Sequence, residues 1–450
     1  MIKLLNGNSD VCKIIFKNDF STEKQYRLSQ YVLQTETDNK LRLFNTFTGI
    51  AVQLDNDEKE RFLKLSKSEQ TGAALSEAGF QQLAEESFFV KTSLDEYKQY
   101  QSCCQILSIM EKKEKGLKAY VIFPTTACNA RCVYCFEEGY ITHTMTNEMA
   151  DKVVDYILQT KHNGCITLRW FGGEPLAASG IITRICQKLR DNQVDYRSSM
   201  ISNCSLMTKE MAREAKELWN LKSVQVSLDG ARDDYEKRKK YLNPVRYNYD
   251  TVMRGIQYLL DEQIKVSIRC NYDKYNLAGI PEFAADLDKR FTDKNAFSIY
   301  MALLYSERDK SELSDTLKLE NEAVKYFEQY GIRNSNYNIS NNIKTHLNYC
   351  MADNLDKCVV IGPDGKFYPC EHLDESKSWG NVFEGVTNQK ILDELHKKFD
   401  ADEKCKKCVL LPHCTSFYRF GCPMWNENCL KFKSHIFKQM INSLDEPAES

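Results

Sequence analysis

The chain has 450 residues, of which 42% are hydrophobic and 28% charged, and its formal net charge is -2. Single hydrophobic cores rarely exceed about 250–300 residues, so we expect two or three domains. The nearly balanced charge argues against nucleic-acid binding, and no apolar run approaches the about 18–20 residues of a membrane span. The start MIKLLNGNSDVCK lacks the apolar centre of a signal peptide, which favours a cytoplasmic protein.

Residues 1–110 are predicted to form a small α+β module. Apolar residues alternate with polar ones over 41–43 and 50–54, on either side of the turn NTFTG, which indicates a β-hairpin. Helical patterns follow over 57–67 and 75–86. A charged helix over 93–115 is expected to lead into the next domain.

Residues 116–330 alternate between short apolar strands and helical segments. Units of about 30 residues in this order predict a parallel sheet built from βαβ crossovers, and six strands predict an open, partial (β/α)6 barrel. Binding groups are then expected at the carboxyl ends of the strands, where the loops gather. The predicted strands are Ala119–Phe123, Ile166–Trp170, Ser198–Ile201, Ser223–Leu228, Lys265–Arg269 and Phe297–Leu303. The predicted helices include Asn147–Lys161, Ile182–Asp191, Thr208–Trp219 and Tyr249–Glu262.

Eleven of the eighteen cysteines fall into two groups with the spacing of metal ligands. The first group, Cys128, Cys132 and Cys135, follows the first strand of the predicted barrel. Three thiolates can hold three irons of a [4Fe–4S] cluster and leave the fourth iron open, whereas structural zinc sites are normally closed by four ligands.

The second group of cysteines lies in the last predicted domain, residues 346–435. Eight thiolates suffice for two fully ligated iron–sulfur clusters, and the spacing alone would equally allow two zinc sites. A disulfide framework does not fit a long chain without a secretory signal. The eight are Cys350, Cys358, Cys370, Cys405, Cys408, Cys414, Cys422 and Cys429.

The pattern CNARCVYC, with Tyr134 before the third cysteine, resembles the radical S-adenosylmethionine (SAM) enzymes. The resemblance implies that SAM binds the open iron and that its reductive cleavage yields a 5′-deoxyadenosyl radical. It also implies an electron donor such as flavodoxin or ferredoxin.

Motifs at the ends of later strands extend the resemblance. GGEP, ISN, SLDG, the basic run KRKK and the strand end RCN match SAM-binding segments of the family, although Cys204 stands where glycine is usual. Arg238 is the preferred partner of the SAM carboxylate, and Lys239 is the alternative. The SAM-site residues implied in this way are Tyr134, Gly172, Gly173, Glu174, Ser202, Asn203, Ser227, Asp229, Arg238, Arg269 with Asn271, and Leu303 or Leu304.

The last domain resembles a SPASM domain, the auxiliary-cluster extension of radical SAM peptide-modifying enzymes. The hairpin GPDGKFYPC and the spacing Cys405-x2-Cys408-x5-Cys414 carry this likeness, but Tyr418 occupies the usual place of the next cysteine. With Cys422 in that role, the resemblance implies two ligand sets, making three [4Fe–4S] clusters in the chain. The nearer cluster would be held by Cys350, Cys358, Cys370 and Cys422, and the outer one by Cys405, Cys408, Cys414 and Cys429.

The expected function is modification of a ribosomal precursor peptide through a thioether or carbon–carbon link. Residues 1–110 would form a winged-helix-like element that recognises a leader peptide, and Glu371 would act as a general base. One alternative is an anaerobic sulfatase-maturing enzyme that makes formylglycine. Another is a non-catalytic, zinc-stabilised peptide-binding protein.

Overall fold

The computed structural model describes residues 2–6, 19–37, 40–111, 115–307, 310–333, 351, 355–396, 403–413, 434, 435, 438 and 441. It divides into two compact units. We call the first unit residues 1–113, 336–350 and 398–450, and the second unit residues 114–335 and 351–397.

The first unit begins with two antiparallel sheets. The strands are β1 (Lys3–Asn6), β2 (Gln25–Leu28), β3 (Val32–Thr37), β4 (Lys40–Asn45), β5 (Ile50–Leu54), β6 (Gln70–Thr71) and β7 (Phe89–Lys91). The four-stranded sheet has the order β1-β5-β4-β3, and the three-stranded sheet has the order β6-β2-β7. The predicted hairpin is confirmed as β4 and β5, with Leu43 opposite Val52.

Within the described residues up to Glu111, four helices accompany these strands: α1 (Asn56–Leu65), α2 (Gly72–Glu77), α3 (Gln81–Glu85) and α4 (Glu96–Glu111). The single helix predicted over residues 75–86 is wrong, because the chain breaks between α2 and α3. Gly79 adopts φ 80°, and the Phe80 amide donates back to the Leu75 carbonyl at 2.7 Å. This left-handed glycine and back-bond form the usual end of a helix.

The second unit contains the predicted parallel sheet, and all six strands are confirmed. Consecutive strands pair in parallel in chain order, so the carboxyl ends share one edge of the sheet. The strands are β8 (Ala119–Thr125), β9 (Ile166–Gly172), β10 (Tyr196–Ser202), β11 (Leu221–Ser227), β12 (Lys265–Tyr272) and β13 (Phe297–Leu303).

Amphipathic helices cross between these strands. In α5, the Thr146 side chain caps the first turn, while Val153, Val154 and Ile157 are buried. The helices are α5 (Asn147–Thr160), α6 (Ser179–Asp191), α7 (Lys209–Glu217), α8 (Arg232–Lys239), α9 (Tyr249–Asp261), α10 (Ile280–Arg290) and α11 (Leu313–Gln329).

Residues 358–386 lengthen the same sheet beyond β8. The strand β14 (Cys358–Ile361) pairs in parallel with β8, and β15 (Lys366–Tyr368) turns back on it as the predicted hairpin. Two short strands, β16 (Gly380–Asn381) and β17 (Gly385–Val386), and helix α12 (Gln389–His396) follow.

The region predicted as one domain, residues 346–435, is divided between the two units. Its hairpin belongs to the second unit because β14 is hydrogen-bonded to β8. Residues 403–413, with helix α13 (Glu403–Lys406), belong to the first unit, where Leu410 and Leu411 are buried. Among the helices of the described residues, none is both long and apolar enough to cross a membrane.

Candidate active site at the carboxyl ends of the parallel strands

The three-cysteine loop, residues 128–135, follows directly on β8. Its backbone runs beside the segment that follows α8, so its position is fixed relative to the end of that helix. Three backbone hydrogen bonds of 2.9–3.0 Å make this link: Arg131 N–H to Lys240 O, Val133 N–H to Arg238 O, and Leu242 N–H to Asn129 O.

The three thiols of the loop share an environment suited to metal binding. Cys128 and Cys132 are half-buried, Cys135 is exposed, and none of the three is in a disulfide. Burial raises the pKa of Cys128 to about 12 and also raises that of Cys132. The thiols therefore keep their protons until a metal displaces them.

The three thiols of the loop can serve as ligands of one cluster. The cysteines of a [4Fe–4S] cluster each bind a different iron, so three of them leave the fourth iron open.

Gly172 and Gly173 bring the end of β9 against the start of this loop. The Glu174 amide donates to the Ala127 carbonyl at 2.8 Å, which requires close approach of the two backbones. A Cβ atom at Gly173 would lie 2.5 Å from the carbonyl oxygens of Thr126 and Ala127, so only glycine fits there.

Glu174 joins the ends of β9 and β10. Its carboxylate is fully buried and accepts hydrogen bonds from the Ser202 hydroxyl at 2.8 Å and the Asn203 amide at 2.7 Å. It also accepts one from the Leu176 amide, at 3.1 Å. Burial raises the pKa of Glu174, although these donors oppose the shift. Through these hydrogen bonds, Glu174 holds the backbone at the ends of β9 and β10 in place.

Asn203 connects β10 to the three-cysteine loop. Its side-chain amide donates to Asn129 Oδ1 at 2.9 Å and lies 4.0 Å from Cys128 Sγ. The next residue, Cys204, adopts φ 63°, a left-handed conformation that favours glycine. The backbone therefore keeps the geometry of the usual glycine even though the residue is cysteine.

Asp229 is the centre of a second network, at the ends of β11 and β12. Its carboxylate accepts from the Tyr134 hydroxyl, and from the backbone amide (3.1 Å) and side chain (2.9 Å) of Asn271. Asn276 donates to the Asp229 carbonyl at 2.7 Å and also to that of Asn271. The structure thus brings the predicted residues Tyr134, Asp229 and Asn271 together, and adds Asn276, which sequence reasoning missed.

Arg238 and Lys239 are both buried, but they face different groups. Arg238 pairs with Asp273 at 2.7 Å and lies over the Tyr134 ring, while its Nε and Nη2 are buried with no hydrogen-bond partner among the residues that the structure describes. Burial alone would lower the pKa of Lys239, but the neighbouring Tyr134, Cys132 and Asp229 raise it. The basic run therefore supplies two buried cations, and the unpartnered guanidinium atoms fit an anionic ligand.

Glu371 lies beside Arg169, with Oε1 3.5 Å from Nη1, which is longer than a good hydrogen bond. Within the described part of the chain this Oε1 is buried with no hydrogen bond, and burial raises the pKa of Glu371. Glu137, which the sequence did not single out, is a second such carboxylate. Burial and the charge of Glu371 raise the pKa of Glu137 to about 7.

The other residues predicted to contact SAM are Arg269, Leu303 and Ser227. Arg269 donates from Nε to Asn271 Oδ1 at 2.9 Å, Leu303 is buried at the end of β13, and Ser227 is half-buried at the end of β11. Their contacts with SAM stay predictions.

The auxiliary cysteines are only partly described. Cys358 begins β14 and Cys370 follows β15 in the second unit, while Cys405 and Cys408 belong to the first. In the first unit, Cys103 and Cys104 pack in the same hydrophobic cluster as Cys405 and Cys408, a grouping that their sequence positions do not reveal. Cys350, Cys414, Cys422 and Cys429 lie outside the described residues.

Sequence comparisons identify a family and relatives that this chain is similar to. Residues 122–287 match the sequence model of the radical SAM superfamily. The chain is 23% identical over 388 residues to a cysteine-type anaerobic sulfatase-maturating enzyme of Clostridium novyi, covering 75% of this chain and 98% of the relative.

Two solved structures resemble the fold. One is anSMEcpe with bound AdoMet and the Cp18Cys peptide, with a TM-score of 0.54, 17% identity, and coverage of 72% of this chain and 97% of the other. The second is Streptococcus suis SuiB bound to the precursor peptide SuiA, with a TM-score of 0.50, 16% identity, and coverage of 88% and 100%.

Proposed function

The chain belongs to the radical SAM superfamily and is related to anaerobic sulfatase-maturating enzymes, and from this premise we propose that it modifies a ribosomal precursor peptide. The observation that carries the proposal is the convergence of the three-cysteine loop with the Glu174 and Asp229 networks at one edge of the parallel sheet. When bound there, a [4Fe–4S] cluster and SAM would supply one-electron cleavage of the sulfonium and a 5′-deoxyadenosyl radical.

The residues of the site have separate tasks in this proposal. Cys128, Cys132 and Cys135 hold the cluster. Arg238 and Lys239 meet the SAM carboxylate, and Arg238 has two buried nitrogen atoms that no described residue engages. Glu174 and Asp229 keep the strand ends in place around the nucleotide, and the buried surroundings exclude water, which would otherwise allow side reactions of a radical.

Glu371 is proposed as the general base that takes a proton from the peptide. Its Oε1 is buried beside Arg169 with no hydrogen bond from the described residues and can accept that proton, and burial raises its pKa, which favours proton uptake. The charge of Arg169, 3.5 Å away, opposes this rise in pKa. The bond that follows would be a thioether or a carbon–carbon link. The eight C-terminal cysteines would hold two auxiliary clusters, which could accept the surplus electron.

A second candidate is formylglycine formation on a sulfatase. The match across 98% of the Clostridium novyi enzyme favours it. Residues 1–110 form their own sheets and helices, which favours the first proposal, modification of a precursor peptide. The edge of a sheet can bind a leader peptide as an added strand. Within the described residues, β3 is an outer strand of the four-stranded sheet.

Two measurements test these proposals. The triple variant Cys128→Ala, Cys132→Ala, Cys135→Ala should produce no 5′-deoxyadenosine while it retains the iron of the auxiliary sites; continued production would refute the assignment. Addition of the precursor peptide should slow amide hydrogen exchange in Val32–Thr37. Protection confined to other strands would remove the leader-binding role of this edge.

A further inference from the structure

The residues that follow the three-cysteine loop lie against the segment that carries Glu371, and an aromatic contact joins the two. We propose that Phe136, which packs on His372, is a positioning residue that holds Glu371 at the place where the peptide gives up its proton. This inference rests on the proposed function, in which Glu371 is the base. Phe136 directly follows Cys135 and His372 directly follows Glu371, so the contact links a proposed cluster ligand to the proposed base.

The Phe136 ring is in close contact with His372 and is supported by the sheet behind it. The ring centroids of Phe136 and His372 are 4.5 Å apart, with 42° between their planes. Aromatic pairs attract each other at centroid distances of about 4.5–7 Å. Phe136 also lies 6.4 Å from the ring of Phe171, which packs on Phe123 at 5.1 Å. Both of these rings are buried near the carboxyl ends of β9 and β8, so Phe136 rests on a rigid part of the molecule.

Glu371 lies in neither a helix nor a strand, so its direction depends on its neighbours. β15 ends at Tyr368, three residues before Glu371. The side chain of Glu371 meets Arg169 at 3.5 Å, which is longer than a good hydrogen bond. A displacement of about 1 Å at a reacting group can slow a reaction about a hundredfold. The contact between Phe136 and His372 therefore matters for the reaction if Glu371 is the base.

A second contact keeps the segment attached at a point beyond Glu371. Burial raises the pKa of Tyr140, and a hydrogen bond from the Leu373 backbone opposes this rise. The Leu373 side chain also packs against the apolar cluster that contains Phe171. Shortening Phe136 should therefore change the position of Glu371 without detaching the segment from the fold.

The exposed part of Phe136 offers an alternative role, direct contact with the peptide, because its side chain is 44% exposed. The two roles differ in their kinetics: loss of a peptide contact raises KM, whereas a misplaced base lowers kcat. A misplaced base also leaves SAM cleavage in place, so fewer peptides are modified for each 5′-deoxyadenosine formed. General damage to the loop would lower both products together and leave their ratio unchanged.

The test uses the reconstituted holoenzyme with SAM, dithionite and the precursor peptide. Phe136→Ala and His372→Ala each remove the contact, Phe136→Tyr keeps the ring, and Phe383→Ala is the matched control, at a side chain that is 60% exposed in the same unit. The first two should lower the ratio of modified peptide to 5′-deoxyadenosine about tenfold, through kcat and with KM unchanged. Phe136→Tyr and Phe383→Ala should match the unmodified enzyme.

A second measurement needs no peptide. The Asp374 amide donates to the His372 carbonyl at 2.8 Å, so its hydrogen exchange reports on the order of the turn that follows Glu371. Exchange should be faster in Phe136→Ala and in His372→Ala than in Phe136→Tyr or the unmodified enzyme. The double variant should lose no more than either single variant, because both substitutions remove the same contact.

An unchanged product ratio with unchanged exchange in Phe136→Ala would overturn the positioning role. Additive losses in the double variant, a raised KM with normal kcat, or failure of Phe136→Tyr to restore the ratio would do the same. Absence of 5′-deoxyadenosine from the unmodified enzyme, or full peptide modification by Glu371→Gln, would instead count against the proposed function. Hydrogen exchange would then still decide whether Phe136 orders the segment.

Discussion

The hydroxyl of Tyr134 donates a hydrogen bond to Asp229, so the three-cysteine loop is tied to the end of β11. The same carboxylate accepts from the amide and side chain of Asn271, at the end of β12. One buried acid therefore sets the position of the loop and of two neighbouring strand ends.

Removing that hydroxyl should weaken the site without removing any metal ligand. Tyr134→Phe leaves a buried carboxylate oxygen without its donor, which costs about 1–3 kcal/mol. We expect a lower melting temperature and weaker SAM binding, measured by calorimetry. Tyr275→Phe, at a side chain that is 71% exposed, is the control. Identical SAM affinity in both variants would mean that the Tyr134–Asp229 bond does not organise the site.

Gly173→Ala should disrupt the junction between β9 and the three-cysteine loop. The added Cβ would meet two carbonyl oxygens at 2.5 Å, and neither backbone can move without losing the bond from the Glu174 amide. We expect less iron bound after reconstitution. Gly180→Ala, in α6 with nothing within 4 Å of the added atom, should instead stabilise the protein by about 0.5–1 kcal/mol. Equal iron loading in the two variants would contradict this account.

Glu371→Gln should uncouple SAM cleavage from peptide modification. Glutamine keeps the size of the side chain but cannot take up the substrate proton. We expect 5′-deoxyadenosine formation to continue while modified peptide, measured by mass spectrometry, falls at least a hundredfold. Glu138→Gln, at an exposed carboxylate, should leave both unchanged. Undiminished peptide modification in Glu371→Gln would exclude the base.

The ion pair between α5 and α6 should contribute to stability in a pH-dependent way. Arg184 holds Asp151 through two bonds of 2.7 and 2.8 Å and lowers the pKa of that carboxyl to about 2. Because the unfolded value is about 3.9, the contribution is complete above that pH and is lost as the pH falls from about 4 towards 2. Both side chains are partly exposed, so the loss in Asp151→Asn should not exceed about 1 kcal/mol.

The measurement is urea unfolding of Asp151→Asn at pH 7 and pH 3. The difference from the unmodified protein should shrink at the lower pH. Asp155→Asn, which removes only the exposed pair with Lys152, serves as the control. A difference that grows at pH 3 would have the wrong sign for a lowered pKa.

The parallel sheet could be predicted because buried parallel strands are apolar runs that stand out between amphipathic helices. Predicted Phe297–Leu303 agrees with β13 at both ends. The break at Gly79 could not be predicted, since residues 75–86 keep a helical pattern on both sides of it. The site residues at strand ends follow from the motifs, but their hydrogen bonds do not.

Other features depend on contacts between residues that are distant along the chain, so no short sequence pattern predicts them. Arg238 and Lys239 are adjacent in the sequence, yet only the fold shows that one faces Asp273 and the other Cys132. Glu137 gains its raised pKa from burial near Glu371, which is distant along the chain. The packing of Cys104 near Cys405 likewise joins segments about 300 residues apart.

The central claim is that Cys128, Cys132 and Cys135 hold a cluster whose fourth iron binds SAM. The most direct measurement is the electron paramagnetic resonance spectrum of the reduced, reconstituted enzyme before and after addition of SAM. A changed signal that is absent from the triple cysteine-to-alanine variant is the predicted result. A spectrum that does not respond to SAM would contradict the claim.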